Sequence, residues 1–472
     1  MDEAKLRKLN NAITYSLCGI LLIVFGWIYC RWMKQSVDFK RVQFAELLSS
    51  GLSCILFYSV SVIAVSKVVT DVLGFFTKKE ISEGEEQGNL TKTSRKKDII
   101  IVFFAILVLS ALIVTLGVII RHYMVDETEK IGDSIRRLWS SLDSQHYIHI
   151  AEKWYAATGD LADDVRVVFF PGYPILVGLL GRITIDYFAA GMFLSAIFFA
   201  LAGVYLWLVV EKDYGREIAH RAVRFLCCTV GVFFFAAPMT ESLFLFTTLA
   251  AVYYIREKKY LKAAVFGAYS AFTRSAGVFI MIIFFYELLM DFHERRGEKK
   301  DLKKYAGRLG SMFIIPTGLL AYLLINFKVT GDAFKFMYYQ EHHWGQKLGY
   351  FFNTAKYMVE QLRNNIKSGD VDTARGLWMM GLFALFATLI IMLMGSKKIR
   401  TSYVIYSLVY FAFSMGATWL LSAPRYAAGL FTIPISLALL PKRKWGEIPF
   451  EMIMTVINVF YMIMFVLRWQ VW

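Results

Sequence analysis

Long apolar runs, broken by short polar and basic corners, make up most of this chain. A helix needs about 20 apolar residues to cross a hydrocarbon core. Measured against that length, the runs near 12–30, 51–70, 99–120, 187–210, 222–237, 239–255, 260–273, 275–290, 308–327, 377–395, 403–421, 426–440 and 452–467 each predict a span, several of them short. The runs that meet at Met239–Thr240 and at Arg274–Ser275 read as tight helical hairpins, or as broken or re-entrant helices. The pattern predicts an all-α, polytopic integral membrane protein with a bundle of about 11 to 13 transmembrane helices. The polar, basic stretch Met1–Asn10 precedes a run that is long and lacks a small-residue cleavage site, so 12–30 reads as a first span and not as a signal peptide.

Two longer polar stretches, 121–186 and 328–376, interrupt the apolar pattern. Within the first, Ser144–Ala157 carries Tyr147, Ile150, Ala151, Trp154 and Tyr155 at helical spacing, with Gln145, His149, Glu152 and Lys153 opposite. That stripe predicts an amphipathic helix lying flat at the membrane interface.

Composition supports one membrane body. Of the 472 residues, 57% are hydrophobic, and the 11 Trp and 26 Tyr suit aromatic belts at both bilayer surfaces. A formal charge of +15 raises nucleic-acid binding, but its distribution speaks against that. Thirty of the 52 Lys and Arg lie in Met1–Asn10, Lys78–Lys97, Glu211–Arg224, Arg256–Lys262, Asp291–Arg308, Ser396–Arg400 and Pro441–Trp445. By the positive-inside rule these segments are cytoplasmic and the two long loops extracytoplasmic. The N-terminus is then inside, the C-terminus outside, and the sequon Asn89-Leu90-Thr91 stays unmodified on the inner side. The expected partners include membrane lipids and no nucleic acid. The five cysteines lie in or beside apolar runs, without metal-ligand or disulfide-framework spacing.

The candidate chemistry sits at the outer edges of the spans. Asp143-Ser144-Gln145-His146-Tyr147-Ile148-His149-Ile150-Ala151 is followed by Phe169-Phe170-Pro171-Gly172-Tyr173-Pro174. Three further segments come in order: Pro238-Met239-Thr240-Glu241-Ser242-Leu243-Phe244, Thr273-Arg274-Ser275-Ala276-Gly277 and Pro424-Arg425-Tyr426. A Gly331-Asp332 turn precedes an aromatic loop that ends at Trp344. On residue type alone, each has an ordinary reading. Asp143 is a favoured helix N-cap. Arg274 and Arg425 grip a phosphate through paired hydrogen bonds or snorkel to headgroups. Glu241 caps a helix or touches substrate. Phe169, Phe170 and Tyr173 stack on a sugar or isoprenoid, or belong to an aromatic belt. Asp143, His146 and His149 spread over about 120° of a helix, so a shared metal ion is not expected. The adjacent His342-His343 and the Asp163-Asp164 pair read as polar loop residues. Lys67 and Asp71, one turn apart in the second span, read as a mutually neutralised pair near the cytoplasmic end.

In those five ordered segments, over about residues 99–440, the chain resembles the PIG-V family of GT-C glycosyltransferases, which holds the second mannosyltransferase of GPI-anchor assembly and its prokaryotic relatives. The match to an Asp-x-x-His-aromatic-x-x-Ile-Ala segment departs at Leu142, where that family usually has Trp, and at Trp154, where it often has Gly. The resemblance implies a GT-C-like core over 99–440, preceded by two added helices with a charged loop (1–98) and followed by one helix (441–472). It implies an inverting transfer of a sugar, with mannose favoured, from a polyprenyl-phosphate donor to a lipid or glycan acceptor at the extracytoplasmic face. Asp143 would be the catalytic base, and His146, Tyr147, Phe170, Tyr173, Glu241, Arg274, Asp332, Arg425 and Tyr426 would contact substrate. No cofactor and no metal is expected. Compact loops without outer sequons point to a bacterial plasma membrane, with the endoplasmic reticulum as the alternative. A lipid-linked-sugar flippase or transporter, and an accessory subunit of such an enzyme, are the competing classes. A transporter would place its polar groups near the bilayer midplane. The acceptor, the partner proteins and the oligomeric state are left open.

Overall fold

The structure, a computed structural model, describes residues 3–39, 41–74, 92–294, 302–441, 446–469 and 471. Helices α1 (Glu3–Ser36) and α2 (Phe44–Gly74) form an antiparallel hairpin, with Tyr29 beside Ser50 and the Tyr58 hydroxyl on the Cys18 carbonyl. Helix α3 (Lys92–Met124) then leads to the first long loop. There Arg121 and Arg137 grip Glu129 at 2.6 and 3.1 Å, which fixes the turn into α4 (Ile131–Trp139). The loop continues through α5 (Asp143–Lys153), α6 (Leu161–Asp164) and α7 (Gly172–Thr184). The central body is α8 (Tyr187–Tyr214), α9 (Arg216–Cys227), α10 (Glu241–Arg256), α11 (Tyr260–Thr273), α12 (Ile280–Glu294), α13 (Leu302–Met312) and α14 (Thr317–Thr330). The second long loop holds α15 (Lys335–His342), α16 (Phe351–Ser368) and α17 (Val371–Thr373). Helices α18 (Met380–Ser396), α19 (Thr401–Ser414), α20 (Ala423–Ala428), α21 (Thr432–Ala438) and α22 (Glu447–Val466) complete the chain. The described residues contain no strand, only an isolated antiparallel bridge between Leu348 and Ala417.

Eight helical segments among the described residues are long and apolar enough to cross a membrane: Lys5–Ser36, Phe44–Gly74, Thr93–Met124, Tyr187–Tyr214, Ser275–Glu294, Leu302–Thr330, Val371–Ser396 and Ile448–Val466. The protein is an all-α, multi-pass membrane protein. The other five apolar runs form shorter or broken helices. Helix α10 has 16 residues and α11 has 14. At 1.5 Å per residue they extend about 24 and 21 Å, short of a core about 30 Å thick. Run 222–237 becomes the end of α9, a turn and one 3₁₀ turn at Val232–Phe235. Run 426–440 is divided between α20 and α21, and run 403–421 is helical only to Ser414. Two of these segments, α10 and α21, are apolar because protein surrounds them. Twelve of the sixteen residues of α10 and all seven of α21 are buried. An all-round apolar helix is the common signature of lipid and of a protein interior, so hydropathy alone overcounts spans.

The short helices start or stop beside α5. The N-terminus of α10, the C-terminus of α11 and the start of α20 converge there, which places Glu241, Arg274 and Arg425 together. The other end of α10 is bolted by buried charges. Arg256 pairs with Asp213 at 2.8 Å and Glu287 at 2.6 Å, and Arg400 pairs with Glu287 at 2.9 Å. The hydroxyls of Ser402 and Tyr403 complete the shells of Glu287 and Asp213.

Two expectations change here. Lys67 and Asp71 are not each other's direct partners. The Lys67 ammonium donates to carbonyls at the end of α18, including that of Ser396 at 3.3 Å. Asp71 accepts from Tyr286 and from Thr401 at the start of α19. A cation thus meets the negative end of one helix dipole, and an anion the positive end of the next. Helix α5 ends at Lys153 and does not reach Ala157, because Trp154 takes a left-handed φ of 67°. Its buried face, Ser144, Tyr147, Ile150 and Ala151, packs on α7, with Tyr155 beyond the helix end also buried. The sequon at Asn89, residues 75–91 of the charged loop and the basic cluster 442–445 lie outside the described residues.

Candidate active site

Four charged side chains from four separate segments meet in one cluster. Arg425 donates through Nε (2.9 Å) and Nη2 (2.6 Å) to Glu241 Oε1, and the same Nη2 lies 2.8 Å from Asp143 Oδ2. Arg274 Nη1 reaches Glu241 Oε1 at 3.4 Å. Two carboxylates and two guanidiniums give a formal charge of zero. Exposure divides them: the Arg425 and Glu241 side chains are 4% and 1% exposed, whereas that of Asp143 is 33% exposed. Arg425 and Glu241 form a buried foundation, and Asp143 is the carboxylate that can meet a reactant.

Local sequence builds each position. Pro424 occupies the first turn of α20, where its missing N–H is not needed, and Arg425 follows it. Glu241 begins α10, where the positive end of the helix dipole favours a carboxylate. Arg274 sits in extended conformation between α11 and a 3₁₀ turn, Ser275–Phe279. The chain folds back so sharply there that a Cβ on Gly277 would lie 2.3 Å from the Ala271 nitrogen. A Cβ on Gly172 would likewise lie 2.5 Å from Thr273 Oγ1, so the Phe-Phe-Pro-Gly segment can rest on the end of α11 only with glycine there. The Tyr269 hydroxyl on the Gly172 carbonyl, at 2.8 Å, fixes that contact.

Asp143 is not a helix cap. Leu142 holds the N-cap position of α5 without a capping side-chain bond, and the Asp143 carboxylate turns to Arg425. Glu241 likewise spends its charge on the arginines, with Thr240 as the residue before the helix. Neither arginine snorkels. The Arg425 guanidinium lies 5.2 Å from the Phe234 ring, and that of Arg274 lies 5.2 and 5.8 Å from Tyr426 and Phe244. Cations over ring faces are held electrostatically as well as by their carboxylates.

An aromatic wall adjoins Asp143. His146, one helical turn on, stacks on Phe169 with centroids 4.6 Å apart, and Trp344 from the second long loop meets the same Phe169 edge-on at 6.0 Å. Burial pushes the His146 imidazole below its usual value against the pull of Asp143. Four buried polar atoms here have no protein hydrogen-bond partner: Glu241 Oε2, Ser144 Oγ, Ser242 Oγ and His146 Nδ1. Buried polar atoms are normally satisfied, and these four are exceptions to that rule. His149 lies 3.8 Å from Asp163, which also pairs with Arg166. No group of three or more metal-ligating side chains occurs among the described residues.

Not every expected residue joins the site. Tyr173 is wholly buried, and its hydroxyl bonds to the Gly191 carbonyl and to Ser195, so it packs the interior and offers no surface to substrate. Tyr147 is also buried, its ring edge-on to Phe169 and Tyr173, and it shapes the wall from behind. Phe170 stacks on Tyr322 at 3.9 Å. Asp332 is exposed and caps its own turn by accepting from the Phe334 amide at 2.9 Å, so the structure does not bring it to the cluster. Phe234 is a residue that sequence reasoning missed, and Phe244, the last residue of the Pro238–Phe244 segment, was not foreseen beneath an arginine. Their apolar runs read as membrane spans, and nothing in one sequence says which phenylalanine will lie under an arginine.

No family model matches the chain, and no curated protein matches it in sequence.

Proposed function

We propose that this protein is a membrane glycosyltransferase that takes a sugar, with mannose favoured, from a polyprenyl-phosphate donor and passes it to a lipid or glycan hydroxyl. The observation that carries the reading is the cluster itself: a part-exposed Asp143 carboxylate 2.8 Å from Arg425, with Arg274 joined to the same Glu241. Asp143 accepts the proton of the acceptor hydroxyl. The hydroxyl oxygen bonds to the anomeric carbon as the bond from that carbon to the phosphate oxygen breaks, and the polyprenyl phosphate leaves with the electron pair. Attack opposite the leaving group inverts the configuration. The arginines meet the charge that gathers on the phosphate. A lipid-borne donor accounts for a site framed by helices too short to cross the hydrocarbon core, since the isoprenoid tail stays in the bilayer. The distribution of basic segments supports a site on the extracytoplasmic face, and the compact loops without outer sequons favour a bacterial plasma membrane.

Purified protein in liposomes, given polyprenyl-phosphate mannose and extracted glycolipids, should consume the donor and produce acceptor heavier by one hexose in the mass spectrum. Intact donor moved across the bilayer without transfer would replace this reading with that of a transporter.

A further inference from the structure

The end of the bundle away from Asp143 holds a cavity of about 240 Å³ at the C-terminal ends of α8, α10 and α12. That volume would hold about eight waters at ~30 Å³ each, or a small headgroup. Four cations line it, Lys212, Arg256, Lys258 and Arg400. Their carboxylate partners differ in depth. Asp213, Glu287 and Asp291 are 0%, 5% and 3% exposed, while Arg256, Lys258 and Arg400 keep 20%, 40% and 32% of their side-chain surface open. Lys212, 34% exposed, pairs with Glu257.

The carboxylates therefore act from beneath, orienting the cations, and the cations supply most of the open charged surface. Glu294 at the rim is the one exposed carboxylate of the lining. An ammonium has three donors and a guanidinium five. Lys258 uses one on Asp291, and Arg256 uses two, on Asp213 and Glu287. Donors remain for an incoming anion. A pocket whose open charged surface is mostly cationic, among the segments that the charge distribution assigns to the cytoplasm, lies where anionic lipid headgroups concentrate.

We propose that this cavity is a phosphate-binding site for an anionic group, either a phospholipid headgroup or free phosphate, separate from the sugar-transfer site about 24 Å away along α10. It does not depend on the glycosyltransferase reading.

The test uses the full chain in nanodiscs of phosphatidylcholine alone or with phosphatidylglycerol, and titrates inorganic phosphate into the first. The melting temperature should rise with phosphatidylglycerol if the source is lipid, or with phosphate if it is free anion. In Lys212→Gln/Lys258→Gln the same rise should need roughly 25-fold more anion, about fivefold for each lysine. Asp291 keeps Arg308 at 2.9 Å in that variant, so the fold should hold. Lys259→Gln, an exposed lysine outside the lining, should respond as the wild type does. No response to either anion, an unchanged response in the double variant, or an equal loss in Lys259→Gln overturns the proposal. Should the double variant not fold, native mass spectrometry of the wild type decides: retained phosphatidylglycerol or phosphate supports the site, and retention of neither overturns it.

Discussion

Arg425 touches both carboxylates of the site, so its substitutions separate folding from function. Arg425→Ala leaves a buried Glu241 to Arg274 alone. Breaking a buried pair in this way costs about 3–5 kcal/mol, so that variant should melt early and say little about catalysis. Arg425→Lys keeps the charge and loses the two-point grip, and should fold with a transfer rate well below wild type. Arg425→Met combined with Glu241→Gln removes both charges, and should regain much of the melting temperature without regaining transfer. Normal transfer by the double variant would make the pair structural only. Trp154 carries a second residue-scale prediction. Its φ of 67° and ψ of −170° lie in glycine territory, which costs a side-chain-bearing residue about 1–3 kcal/mol. Trp154→Gly should therefore melt higher than Trp154→Ala. The reverse order would remove the strain. The resemblance had already marked this position as one where glycine is frequent, but the strain itself became visible only with the backbone.

The helices were legible where a stripe or a long run decides them, as in α3, α8 and Tyr147, Ile150 and Ala151 of α5. The breaks were legible as motifs and not as shapes. Thr273-Arg274-Ser275-Ala276-Gly277 could be read as a corner, but its sharpness depends on Gly277 meeting the backbone of Ser270 and Ala271. Gly277→Ala should push the α11 end away from its 3₁₀ turn and dislodge Arg274. The expected result is a lower melting temperature and transfer reduced further than in an Ala276→Gly control. Equal behaviour of the two variants would show that the reversal tolerates a side chain. The role of Lys67 and Asp71 was hidden for a related reason. Their spacing in α2 is visible in sequence, but their partners are the facing ends of α18 and α19, which only tertiary packing brings near.

At the scale of the whole molecule, charge counting assigned two faces, and the fold gathers both long loops with Asp143, Glu241, Arg274 and Arg425 at one end and the Asp213–Glu287–Arg256–Arg400 lock at the other. Cysteines introduced at Gln145 and Lys347, both exposed, should react with an impermeant thiol reagent outside intact cells, and one at Lys259 only after permeabilisation. The opposite pattern would invert the topology and move the site to the cytoplasmic face. The meeting of Asp143 with Arg425, 282 positions apart, was legible only as a resemblance, because no local pattern states a contact across that separation. That Asp143 removes the acceptor proton is tested most directly by purified Asp143→Asn in the liposome transfer assay. Asn keeps the size of the side chain and a polar contact to Arg425 but accepts no proton, and losing a general base costs about 10²–10⁴ in rate. The variant should hold its fold, bind donor and lose transfer by that factor. Near-normal sugar transfer by a folded Asp143→Asn would contradict the assignment of the chemistry to this carboxylate.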